Sequence, residues 1–138
     1  MNVLNKLKQT IADIASCIPE VELVYLFGSV ARGDSGADSD VDVAMCFSEQ
    51  LSKSQRFHLR MRLALQLSRA IGKPVDVVVF NDTKSLFFKY VVIKEGTLVY
   101  ERAEASSLDF ANRTMAEYFD FAPFMENYNR QYVKSNVL

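Results

Sequence analysis

Apolar residues recur at Val3, Leu4, Leu7, Ile11, Ile14 and Ile18, the spacing of one helical face, and Pro19 ends the pattern. "VELVYLF" (21–27) is short and rich in β-formers, which predicts a strand closed by Gly28-Ser29. "ARGDSGADS" (31–39) has the glycines and aspartates of a loop, and "DVDVAMCF" (40–47) starts with the two-residue period of a strand with unlike faces. Residues 53–71 predict a helix with an apolar stripe at Leu59, Leu63, Leu67 and Ile71, capped by Ser52 or Ser54 and stopped by Gly72 and Pro74. A third strand follows at 75–80, then a short helix over 83–96 and a brief strand at 97–101. From Ser106 to about Ser135 runs a last helical pattern with Phe110, Tyr118, Phe119, Phe121, Phe124, Tyr128 and Tyr132, which Pro123 kinks or breaks.

This order predicts an α/β (α+β) fold, a small mixed sheet flanked by helices, with a long aromatic helical segment at the C-terminus. About a dozen residues join the first two strands, which leaves antiparallel or splayed pairing open. The organisation expected is a domain over 1–105 and a helical tail over 106–138.

Composition changes this picture little, but it removes some functions. With 138 residues, 49% hydrophobic and 24% charged, the chain is long enough for one core and is not disordered by composition. Sixteen basic residues against seventeen acidic ones argue against a protein that wraps nucleic acid, so direct nucleic-acid binding is not expected. Cys17 and Cys46 lie in apolar stretches without metal-ligand spacing and read as reduced, buried thiols. The N-terminus lacks the features of a signal peptide and no apolar run reaches membrane-span length, so a soluble cytoplasmic protein is expected.

The chemistry is concentrated in "LFGSVARGDSGADSDVDVAM" (26–45). Residues two apart in a strand share a face, so Asp40 and Asp42 point together and raise each other's pKa unless a cation lies between them. Hard ions such as Mg²⁺ suit carboxylate oxygens and keep substrate phosphates among their ligands. Asp76, second in its strand, joins this site if the strand lies beside 40–47, and three carboxylates suit a pair of metal ions. Gly28 lets a phosphate approach the backbone, Ser29 offers a hydroxyl and an N–H, and Arg32 is the nearest fixed cation for a triphosphate. His58, on the predicted helix among Arg56, Arg60 and Arg62, reads as a solvated side chain, and the basic run around it as the polar side of that helix.

Gly28-Ser29, Asp40-Val41-Asp42 and a later strand aspartate at Asp76 resemble the nucleotidyltransferase superfamily related to DNA polymerase β. The fuller "GSVARGDSGADSDVDV" resembles its minimal nucleotidyltransferase (MNT) branch, the antitoxins of HEPN/MNT toxin–antitoxin pairs, and departs from that pattern nowhere. The resemblance covers roughly residues 21–80. It implies that Asp40 and Asp42 ligate two Mg²⁺ ions, that Asp76 ligates the catalytic one and helps deprotonate the acceptor, and that Gly28, Ser29, Arg32 and Ser39 bind the nucleotide. It also implies ATP as substrate and a cognate HEPN-family ribonuclease toxin as partner, silenced by transfer of AMP to a tyrosine. The segment "LDFANRTMAEYFDFAPFMENYNRQYV" (108–133) resembles the tail of such antitoxins in its Tyr-x-Asp-Phe-x-Pro stretch at 118–123, and is the expected partner-binding segment. Aromatics there equally suit the core of their own domain. Two alternatives stay open: an antitoxin that acts by contact alone, and a nucleotidyltransferase for a small, aminoglycoside-like acceptor.

Overall fold

The Asn2 side chain accepts the Asn5 N–H at 2.7 Å and starts α1 (Val3–Ser16), whose Ile11 and Ala15 are buried. The structure, a computed structural model, describes residues 2–33 and 40–120. Ser39, Phe121, Pro123, Phe124, Tyr128 and Tyr132 therefore lie outside the described residues. After α1 come β1 (Val21–Phe27), the one-turn helix α2 (Gly28–Arg32), β2 (Val41–Phe47), α3 (Lys53–Ile71) and β3 (Val75–Val79). A 3₁₀ turn (Phe80–Asp82), α4 (Leu86–Glu95), β4 (Thr97–Glu101) and a helix over 106–120, called α5, complete it. No described helix is long and apolar enough to cross a membrane.

The sheet is mixed, in the order β3-β2-β1-β4. β1 pairs antiparallel with both β2 and β4, while β2 and β3 run parallel. The parallel pair needs a crossover, and α3 supplies it. Ser52 starts that helix with a capping box shared with Gln55, and Gly72 ends it at φ +82°, a conformation that side chains rarely adopt.

Alternation sorts the strand residues onto two faces. Val24, Leu26, Val43, Met45 and Val77 pack against Ile11 of α1 and Leu63 and Leu67 of α3. The opposite face carries Leu23, Tyr25 and Ala44, covered by Phe80, by Val92 of α4 and by Phe110 of α5. Phe110 sits 4.9 Å from Phe80, ring to ring, and Tyr118 stacks on Tyr90 at 4.2 Å. At least part of the aromatic C-terminal pattern therefore covers the sheet of its own domain.

Two side chains tie distant backbone together. Asn81 accepts the Phe47 N–H at 2.8 Å and donates to the Phe47 carbonyl at 2.9 Å, which anchors the end of β2. Arg102 donates to the carbonyls of Val21 (2.9 Å), Ile18 (2.6 Å) and Ala15 (3.2 Å), so it locks the turn between α1 and β1. Arg102→Met keeps the stem and leaves these part-buried carbonyls without that donor. A loss of about 2–3 kcal/mol is expected, read as a lower urea midpoint at unchanged slope.

The structure corrects three local expectations. Residues 31–32 belong to α2 rather than to a loop. Cys17, the C-cap of α1, is exposed rather than buried, because its apolar sequence neighbours turn inward and it does not. The exposed side of α3 is not simply polar: it carries Phe57, Met61 and Leu65.

Candidate active site

The pairing of β2 with β3 builds the site. The parallel register sets Asp42 directly beside Asp76, and neighbours in register project to the same face. The Val41 N–H donates to the Pro74 carbonyl at 2.9 Å, which joins the entries of the two strands just where Asp40 leads into β2. On the other side of β2, Asp42 pairs with Phe27, the last residue of β1. Gly28 and Ser29 follow at once as the start of α2, so the Gly-Ser step and the carboxylate pair share one end of the sheet.

Gly28 is required here for two separate reasons. Its φ of +78° is a conformation that L residues adopt only at a cost, and a Cβ on it would land on Asp42 Oδ2, with Cγ at 3.3 Å. The backbone thus comes as close to the Asp42 carboxylate as hydrogen alone permits. Ser29 is half-buried on α2, and no side chain caps that first turn. Arg32 lies exposed in its last turn.

Burial, then the charge of Asp76, then that of Asp40, pushes the Asp42 carboxyl above the usual aspartate range. Asp76 is 61% exposed at the outer strand, with Arg60 of α3 reaching across to it: Nη2 lies 4.0 Å from Oδ1. Among the described residues, no three carboxylate, imidazole or thiol side chains converge closely enough to enclose a metal ion. The donor set still fits Mg²⁺, which is held by one or two carboxylates and completes its octahedron with water and substrate phosphates. Hard oxygens, mutual repulsion and an adjoining backbone stripped of Cβ suit a cation bridging protein and polyphosphate.

Asp40, Asp42, Asp76, Gly28 and Ser29 thus fall at one end of the sheet, with Arg32 one helical turn away. Ser39 lies outside the described residues. His58 is exposed, as a solvated side chain should be. Sequence reasoning missed the contact of Arg60 with Asp76, because no local spacing links a helix residue to a strand carboxylate across a crossover.

A family model described as polymerase beta, nucleotidyltransferase, matches residues 9–105. A relative from Shewanella oneidensis, named protein adenylyltransferase MntA, is 30% identical over 101 residues, covering 73% of this chain and 68% of its own. A crystal structure of a toxin–antitoxin with AMP-PNP superposes with a TM-score of 0.68 at 25% identity, covering 97% of both chains. A tyrosine-to-alanine mutant of the MntA–HpeT toxin–antitoxin gives 0.66 at 26% identity, covering 96% of this chain and 95% of that one.

Proposed function

This chain belongs to the polymerase beta nucleotidyltransferase family, and from that premise we propose that it transfers AMP from ATP to a tyrosine of a cognate HEPN-family toxin, which it thereby silences. One observation carries the reading: Asp42 and Asp76 stand in register beside a glycine whose missing side chain lets the backbone meet the carboxylate. That arrangement suits a polyphosphate rather than a neutral substrate. The adenylyltransferase relative and the AMP-PNP-bound toxin–antitoxin support the same reading.

The chemistry is positioning and charge neutralisation. Gly28 and Ser29 hold the β- and γ-phosphates through backbone N–H groups and the hydroxyl, with Arg32 and Ser39 as further donors. Asp76, exposed on the outer strand, takes the proton of the acceptor hydroxyl. The freed oxygen attacks the α-phosphorus in line; its bond to phosphorus forms as the bond to the bridging oxygen breaks, and pyrophosphate leaves. Two Mg²⁺ ions, held by Asp40, Asp42 and Asp76, would neutralise charge on the triphosphate and on the leaving group. The enzyme itself is not covalently modified.

The test uses ATP labelled at the α-phosphate, Mg²⁺ and the protein encoded by the adjacent reading frame. Label is expected on a tyrosine of that protein, and none with the Asp40→Asn/Asp42→Asn variant. Absence of label with the wild type, together with full neutralisation of the toxin by the double variant, would replace transfer with masking by contact.

A further inference from the structure

α3 has two apolar stripes. Leu59, Leu63 and Leu67 are buried in the core, while Phe57, Met61 and Leu65 are 55%, 54% and 53% exposed. The exposed three are four residues apart, so they form one continuous ridge along the helix. Around it lie Lys53, Arg56, Arg60, Arg62 and Arg69, and residues 53–71 contain no Asp or Glu, in a chain whose overall charge is −1. Arg56 is engaged by Asp82 at 2.6 Å. Arg60 joins this surface to the active site, since its guanidinium reaches Asp76. Between the ridge and β3 lies a hollow of about 220 Å³ lined by Phe57, Arg60, Val78 and Asp82 among others.

We propose that this face of α3 is the dock for the protein acceptor, and that it takes an amphipathic helix whose apolar side meets Phe57, Met61 and Leu65 and whose acidic flanks meet the arginines. The inference rests on the proposed function for the existence of a protein acceptor and adds where that acceptor sits. Charge complementarity selects the occupant. A second copy of this chain would set the cationic helix against itself in a two-fold contact, which like charges oppose. Single-stranded RNA is held by stacking platforms, and the ridge offers one aromatic ring and two aliphatic side chains. Continuity with Asp76 gives the dock its use, because a helix seated there brings a neighbouring hydroxyl to the outer strand, where that carboxylate is exposed.

The experiment compares the full-length wild type with Met61→Glu/Leu65→Glu, using the protein encoded by the adjacent reading frame as probe. The double variant should bind it more weakly by on the order of a hundredfold and label it poorly at sub-saturating concentration. ATP affinity in Mg²⁺ and melting temperature should stay at wild-type values. Arg62→Glu/Arg69→Glu should slow association and flatten its dependence on salt. Wild-type affinity in the Met61→Glu/Leu65→Glu variant overturns the dock and leaves the proposed function standing. So does tight binding of a single-stranded RNA, or a dimer of this chain, that the same variant abolishes. A wild type that neither binds nor labels the probe overturns the proposed function, and the dock with it.

Discussion

Asp42→Asn will abolish nucleotidyl transfer and, in the same protein, raise the melting temperature measured without nucleotide or Mg²⁺. A loss on the order of 10³-fold or more in the rate of label transfer is expected, because the charge that faces the developing phosphate chemistry disappears. The gain in stability has the opposite origin. Burial and the charges of Asp76 and Asp40 hold the Asp42 carboxyl above the ordinary value of 3.8, so folding favours its protonated form. A carboxylate shifted upward contributes stability at low pH and loses it as pH rises through its folded-state value. At neutral pH the charged group therefore costs stability, and the isosteric amide removes that cost. The difference between variant and wild type should be largest near pH 7 and shrink as pH falls towards 3.8. Equal or lower melting temperature for the variant at pH 7 would mean that Asp42 is not strained against its neighbours.

Gly28→Ala is expected to lose both activity and stability, and this combination separates it from Asp42→Asn. The added methyl needs the space of Asp42 Oδ2 and must adopt φ +78°. The backbone conformation alone costs on the order of 1 kcal/mol for a residue with a Cβ. The clash then moves either the turn or the carboxylate, and a displacement of about 1 Å at a reacting site is worth on the order of 10²-fold in rate. Thermal denaturation and label transfer measure the two losses side by side. An alanine variant with wild-type activity would show that the close approach of Gly28 to Asp42 has no catalytic use.

The strands and the main helices could be read from local pattern because they depend on it. Period-two alternation found β2, and the four-residue rhythm of Leu59, Leu63 and Leu67 found the buried side of α3. The caps of α3, Ser52 and Gly72, were legible for the same reason. What escaped the pattern was non-local. Nothing near Asp76 says that β3 runs parallel to β2 with the two aspartates in register, since register is set by the whole length of both strands. Asn81 binding Phe47 and Arg102 binding Val21 join residues far apart in sequence and leave no trace in either neighbourhood. The exposed ridge on α3 was hidden by its own surroundings: arginines interleaved with Phe57, Met61 and Leu65 make the segment read as polar. Cys17 misled in the opposite sense, as an apolar neighbourhood in sequence became a solvent-facing helix end.

The place of β3 in the sheet has a consequence for how the site persists in time. Among the described strands, β1 and β2 each have a neighbour on both sides, whereas the five-residue β3 stands at a border of the sheet beside β2. Amide protons on such a border exchange through small openings that cost much less than global unfolding. Asp42 lies on the inner strand and Asp76 on the border strand, so amides around Asp76 are expected to exchange faster than those around Asp42. A ligand that gripped both carboxylates would staple that border to the centre, so occupancy of the site and closure of the sheet's border would become one equilibrium.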